Sequence, residues 1–420
     1  MMESVRSGPI TASVSALDLG RYPISLVLAG VTCALTPAYI VRWHLGPYPS
    51  TLLEDAIVLT VVAFVYESWR LRAMPNFWSP FTLPAVLFVV AGAISVAVAP
   101  DRRAALGIYR AYLLEPIAFF FVVSAVASTW RRAAVVLAGL GLAGLVVGVA
   151  NSVFILDALR NHRVSAAVTA PVVIYTNAND IALFLVPLIA IAASITLYRD
   201  DQRERVVSGA FLAVAVIATL LSFSRGGYLA LAVVAIGLAL SHRYRWRMLG
   251  AAVAIGIVLV LIPPIHRRIA VELDFSSPQN TLVGRFELWR VSLQMLQHHV
   301  LLGAGLSGFA QTIAPYWNPT HTDRFIYPHN IVLTFWSETG LLGLAAFAWI
   351  LFTGFRLGWR GWRQAAREWR PLQLGVTLAL VAVIAHGLVD VPYFKNDLSL
   401  EFWALMGLAW AGNRWGLNAG

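Results

Sequence analysis

Cysteine occurs once in 420 residues, at Cys33. A single thiol excludes an internal disulfide framework and a metal site built on cysteines. Charge is scarce too: 12% of residues are Asp, Glu, Lys or Arg, against 59% hydrophobic, and the mean hydropathy is +0.72. A chain so poor in polar surface cannot be a soluble globule. No internal repeat, no linker and no second soluble domain is visible, and residues 1–420 read as a single polytopic membrane domain. The first apolar run has no A-x-A cleavage site and is followed by further runs, so it reads as a retained helix and not a removed signal peptide.

What the chain has in abundance is apolar runs long enough for a hydrocarbon layer of ~30 Å. They fall near 23–41, 51–67, 80–99, 109–127, 133–156, 178–198, 206–223, 226–241, 248–265, 329–353, 371–388 and 398–414. The fold class expected is therefore an all-α integral membrane protein with about 12 transmembrane helices. Basic residues set its orientation. With the N-terminus inside, the inner segments hold 18 of the 31 Lys and Arg but only 7 of the 21 acids, a net of +11 against −1 for the rest. This is the positive-inside bias, and it accounts for the whole +10 excess. HRYRWR (242–247) and RLGWRGWRQAAREWR (356–370) accordingly read as inner anchors with interfacial Trp, and no nucleic-acid partner is expected.

The same orientation leaves one large, largely polar loop outside, residues 266–328, between the ninth and tenth spans. It holds Arg267, Arg268, Arg285, Arg290 and Arg324 against Glu272, Asp274, Glu287 and Asp323. These charges nearly cancel, so individual arginines matter by position. No outer loop contains D-x-D, and the nine histidines show neither H-x-x-x-H nor H-E-x-x-H spacing, so no metal site is expected.

Five elements near this loop carry chemistry. SFSRGGY (222–228) joins two spans. Gly226 and Gly227 permit a sharp reversal, free N–H groups at a helix start favour an anion, and Arg225 offers a planar fork for phosphate oxygens. The alternative is a tight helical hairpin whose Arg snorkels to the interface. GRFELWR (284–290) places Arg285 and Trp289 on one helical face and Phe286 and Arg290 on another, as in an amphipathic helix lying on a membrane surface. LLGAGLSGF (301–309) follows no strand, so it is no dinucleotide fingerprint. It reads as a turn returning the loop to the bilayer. YPHN (327–330) sets His329 at the mouth of the tenth span, where an imidazole can take a proton from a hydroxyl or serve structurally. HGLVD (386–390) spaces His386 and Asp390 by one helical turn. Glu338 lies roughly 13 Å below the mouth at 1.5 Å per residue, a depth at which a carboxylate needs a partner or water.

The order of these elements resembles the O-antigen ligase/polymerase family of bacterial envelopes: S-x-S-R-G-G, a helix, a large loop with G-R-x-x-x-W, a G-x-G turn, H-N, and E-x-G-x-x-G. The N-x-N-D at Asn177–Asp180 and the H-G-x-x-D at the eleventh span look like the family's too. The close resemblance spans residues 177–400. It implies a GT-C-like helical bundle with a periplasmic loop, in the bacterial cytoplasmic (inner) membrane, with the active site on the outer face. It also implies metal-independent, cofactor-free glycosyl transfer from an undecaprenyl-diphosphate-linked glycan to a hydroxyl of a glycan or glycolipid acceptor. Residue by residue, the family's paired arginines carry over to Arg225 and Arg285 and its histidine to His329. With no metal, arginine forks neutralise the leaving diphosphate. Gly226, Gly227 and Arg290 then join the donor site. Asn330, Asp390, His386, Glu287, Glu338, Tyr327 and Arg324 are supporting candidates.

Trp289, Phe309, Tyr316, Trp317 and Phe325 line a sugar path or anchor the loop at the interface. Ligase and repeat-unit polymerase share these features, and a protein O-oligosaccharyltransferase is a third member of the class. The rival from another class is a transporter or lipid-linked glycan flippase, for which mid-membrane Glu115 and Glu338 speak.

Overall fold

The computed structural model describes residues 21–46, 48–72, 77–161, 163, 172–276, 280–317 and 325–417. The protein is 79% helical with almost no strand, an all-α membrane protein. The helices are α1 Pro23–Ala34, α2 Leu52–Arg70, α3 Thr82–Val98, α4 Arg102–Ile108, α5 Glu115–Val126, α6 Trp130–Arg160, α7 Asn179–Tyr198, α8 Gln202–Leu221, α9 Arg225–Ser241, α10 Arg245–Leu261, α11 Pro263–Leu273, α12 Thr281–His298, α13 Phe309–Thr312, α14 Ile331–Gln364, α15 Arg370–Gly387 and α16 Asn396–Gly416. A π-helical segment, Tyr109–Leu114, fuses α4 to α5. Between α1 and α2 the chain forms a small antiparallel hairpin, β1 Arg42–Leu45 with β2 Tyr48–Thr51, with Gly46 at φ 63°.

A helix lies over every expected span. Among the described residues, six helices are long and apolar enough to cross a membrane, or seven if α10 and α11, bent by 90°, form one broken span. The remainder fail for visible reasons. α1, α3 and α9 are only 12, 17 and 17 residues long. α16 carries Asp397 and Glu401, both fully buried against protein and not presented to lipid. The outward faces are apolar: Val58, Leu59, Val62 and Val65 of α2 are all more than half-exposed or close to it, and α10 buries no residue at all. Apolar surface left uncovered on this scale is what a bilayer covers.

α7, α15 and α16 form the centre of the bundle. α7 is buried at every position from Asp180 to Ile195. It meets α15 so closely that a Cβ on Gly375 would stand 2.6 Å from the Ile191 backbone, the close approach that small residues allow in membrane bundles.

One irregularity shapes the site. α14 breaks at Gly340, whose φ of 65° and ψ of −174° no other residue adopts cheaply. The LLGAGLSGF segment, expected to be a simple return turn, fills that break. The Ala304 N–H donates to the Ser337 carbonyl at 2.7 Å, and the Leu341 N–H donates to the Leu301 carbonyl at 3.0 Å. The two backbone groups freed by the break are thereby satisfied, as a low-dielectric interior requires. Gly303 and Gly305 take positive φ there, and a Cβ on Gly303 would meet the Trp336 and Ser337 carbonyls at 2.3 and 2.4 Å.

Candidate active site at the loop face

The loop between α10 and α14 folds back over the end of the bundle where α9 and α14 begin and α15 ends. Side-chain caps set these helix starts. Ser224 Oγ accepts from the Gly227 N–H at 3.1 Å, Asn280 Oδ1 from Leu282 and Val283, and Asn330 Oδ1 from Val332 and Leu333. Each cap fixes a neighbour of interest: Arg225, Arg285 and His329.

Asp390 is the hub of the site. It lies on the turn between α15 and α16, and its side chain is only 5% exposed. One oxygen meets His329 Nδ1 at 2.9 Å and accepts from the Val391 N–H at 3.0 Å. The other accepts from Asn179 Nδ2 at 2.9 Å and faces the Arg285 guanidinium at 3.6 Å. Burial by itself would raise this carboxyl, but the hydrogen bond and charge of His329, together with Arg285, hold it well below the usual carboxylate range. Burial lowers the Arg285 guanidinium, and Asp390 partly restores it.

His329 is 22% exposed on its side chain, whereas Asp390 is closed off. The carboxylate engages Nδ1, and in the neutral imidazole that contact favours the tautomer protonated at Nδ1. His329 also has φ of 50°, a left-handed conformation rare outside glycine. Such strain, roughly 1–3 kcal/mol, collects at functional sites. Among the described residues four non-glycine positions have positive φ, and three flank this region: Phe223, Ser307 and His329. The ring is braced edge-on by Phe325 at 5.4 Å, and Phe325 is braced in turn by Trp317 at 6.3 Å. Trp289 Nε1 donates to the Pro328 carbonyl at 3.0 Å, so α12 grips the residue before His329. Asn330 Nδ2 donates to the Leu388 carbonyl at 3.0 Å and ties the start of α14 to the Asp390 turn.

Arg225 is the first residue of α9 and forms an ion pair with Glu272 of α11. The same carboxylate accepts from the Thr281 N–H at 3.1 Å, the Thr281 hydroxyl at 2.9 Å and the Leu282 N–H at 3.0 Å. Glu272 thus joins Arg225 to the start of α12 and so to Arg285. Gly226 and Gly227 spend their missing side chains on protein packing. A Cβ on Gly226 would reach the His386 ring at 2.5 Å, and one on Gly227 would reach Ala182 at 2.5 Å. The Gly227 N–H is also taken by Ser224, which leaves less of the expected anion seat than the sequence implied.

Sequence reasoning pointed to Arg225, Arg285, His329, Asn330 and Asp390, and the fold gathers them at one face. Its other candidates fall elsewhere. Glu287 and Arg290 form an exposed pair at 2.6 Å. Tyr327 packs on Phe394 at 5.7 Å, and burial raises its phenol well above the ordinary value. His386 is buried, and neither ring nitrogen has a hydrogen-bond partner among the described residues; its role is packing against Gly226. Glu338 accepts the Ser307 N–H at 2.7 Å and anchors the inserted segment. Phe309 is fully buried and lines no sugar path. Arg324 lies outside the described residues. Asn179 was visible only as part of N-x-N-D. Glu272 and Lys395, which pairs with Asp180, carried no sequence signal.

A family model described as O-antigen ligase matches residues 210–348. The match supports the O-antigen ligase family. That family comprises membrane glycosyltransferases and ligases. The matched stretch contains Arg225, Arg285, His329 and Glu338, while Asn179, His386 and Asp390 lie outside it. No curated protein matches the chain.

Proposed function

We propose that this protein is a membrane glycosyltransferase of the O-antigen ligase type. It crosses the bacterial cytoplasmic membrane twelve times in a GT-C-like bundle and works at the outer face. Its donor is a glycan on undecaprenyl diphosphate, and its acceptor is a hydroxyl of a glycan or glycolipid. The observation that carries the reading is the convergence of Arg285, Asp390 and His329 from three separated segments.

The roles follow from accessibility and charge. Asp390 holds His329 in one tautomer and stabilises the imidazolium that forms later. His329 Nε2 takes the proton of the acceptor hydroxyl. The oxygen attacks the anomeric carbon, a glycosidic bond forms, and the carbon–oxygen bond to the diphosphate breaks with inversion. Arg225 and Arg285 hold the charge that accumulates on the departing undecaprenyl diphosphate, so no acid is required. Glu272 and Asn179 position these groups. Glu115 and Glu338, the residues that favoured transport, each have a protein partner: Arg110 at 3.3 Å and the Ser307 N–H.

Purified protein given a defined undecaprenyl-diphosphate oligosaccharide, candidate acceptors and EDTA tests the reading. Product that vanishes in Arg225→Ala, Arg285→Ala and His329→Ala supports it. A single addition means ligase; a ladder means repeat-unit polymerase, the family's other activity. Passage of lipid or solute across the bilayer, with no product from any acceptor, would overturn it.

A further inference from the structure

A cavity of about 1110 Å³ contains none of Arg225, Arg285, His329 or Asp390 among its lining residues. It lies between the β1–β2 hairpin, the start of α2, α4, the π-helical segment and Asn396 at the start of α16. Its volume exceeds that of a small-ligand pocket and suits an extended ligand. It is joined to the His329 site by the turn after α15. Asn396 follows Asp390 by six residues, a reach of at most about 20 Å. Tyr393, midway along that turn, donates its hydroxyl to the carbonyl of the cavity-lining Tyr112 at 2.7 Å and holds the two sites together.

The lining carries one more cation than anion. Arg42, Arg103 and Arg110 stand against Glu54 and Asp101. Both carboxylates are committed to the protein. Glu54 takes Arg110 at 2.5 Å, Asn396 at 2.5 Å and Ser50 at 3.4 Å, and Asp101 caps α4 through the Arg103 and Ala104 N–H groups. Arg110 is further fixed by the Pro49 carbonyl at 3.0 Å and by Glu115. Arg42 and Arg103 are exposed at the rim. Three aromatic residues, Trp43, Tyr109 and Tyr112, also line the cavity. The Tyr109 hydroxyl is anchored to the Val89 carbonyl at 3.1 Å, which holds the ring in place. One wall is the π-helical turn, a costly backbone form often kept at functional sites. Guanidinium forks match carboxylate or phosphate, and aromatic rings match the apolar face of a pyranose.

We propose that this cavity is a saccharide subsite that takes an acidic sugar of the acceptor, bearing carboxylate or phosphate, while the acceptor's terminal hydroxyl reaches His329. The word acceptor rests on the glycosyltransferase reading; the saccharide site does not. Full-length protein in nanodiscs of zwitterionic lipid would be titrated with a labelled oligogalacturonate and with a neutral oligosaccharide of equal length. The acidic ligand should bind more tightly, lose affinity as salt rises, and weaken about tenfold to a hundredfold in the Arg42→Ala/Arg103→Ala double variant. His329→Ala and Arg285→Ala should leave that binding intact. Several outcomes would overturn the site: no binding of either saccharide, equal binding of both, an unchanged double variant, or loss in Arg285→Ala with retention in the double variant. Complete displacement by anionic lipid would make the cavity a headgroup site instead. Because binding needs no turnover, its result stands even if transfer fails. In transfer assays the double variant should raise KM for an acidic acceptor with kcat and donor KM unchanged. A fall in kcat without a change in KM would remove the acceptor role.

Discussion

His329 Nδ1 and Asp390 Oδ1 are 2.9 Å apart although 61 residues separate them in the chain. The contact joins the mouth of α14 to the turn after α15, and Asn330 reinforces it through the Leu388 carbonyl. An imidazole oriented by a buried carboxylate is thus built from two segments that meet only in the folded bundle.

Replacing His329 with Ala should lower transfer about 10²–10⁴-fold, the usual contribution of a positioned base. Asp390→Asn keeps the shape but permits the other tautomer, and should lower kcat more than it alters donor or acceptor KM. Full activity in either variant would remove His329 as the base.

Asp390 also predicts how stability depends on pH. Its carboxyl titrates lower in the folded protein than the roughly 3.9 of an unfolded aspartate. The fold therefore favours the ionised form. That stabilisation is fully present above about pH 4 and is lost as pH falls through the depressed folded value. The gap in Tm between wild type and Asp390→Asn should shrink as pH falls below about 4. A gap that is unchanged between pH 5 and 3 would contradict the assignment.

Gly226→Ala should cost about 1–3 kcal/mol by overpacking, because the added methyl meets the His386 ring at 2.5 Å. His386→Ala in the same chain should recover much of that loss, as residues in contact are not additive. Thermal midpoints of the two single variants and the double variant test this; strict additivity would refute it.

The inserted 301–309 segment depends on Glu338. Glu338→Leu leaves the Ser307 N–H without its acceptor and should cost about 1–3 kcal/mol, while Glu338→Gln, which keeps an acceptor, should cost less. Gly340→Ala should be worse than Glu338→Gln, since it adds strain at φ 65° and a contact at 2.5 Å with the Leu301 carbonyl. Equal stability of Glu338→Leu and Glu338→Gln in denaturation would sink this account.

Trp289→Phe keeps an aromatic but smaller ring and removes one hydrogen bond to Pro328. The expected cost is about 0.5–1.5 kcal/mol, with a larger effect on kcat than on donor KM because His329 is the next residue. A change in donor KM alone would argue against a positioning role.

The all-α membrane architecture was legible in the linear chain because hydropathy and helix length are local properties, and apolar runs have few other solutions in lipid. The caps at the starts of α9, α12 and α14 are local as well, since Ser224, Asn280 and Asn330 accept from N–H groups two or three residues away, but the sequence analysis did not identify them. The motifs around Arg225, Arg285 and His329 could likewise be named from neighbouring residues alone.

What the linear chain did not determine was who meets whom. Glu272 looked like one acid among four, yet it pairs with Arg225 and the start of α12. Gly226 looked like part of a phosphate cradle, yet its missing Cβ makes room for His386. The glycine-rich 301–309 run looked like a turn returning the loop to the bilayer, yet it fills the break at Gly340. Each of these is a contact between distant segments, settled by satisfying buried charges and backbone groups in a medium without water. Local pattern determined where the helices lie; only tertiary packing decided that Asp390 would face both His329 and Arg285.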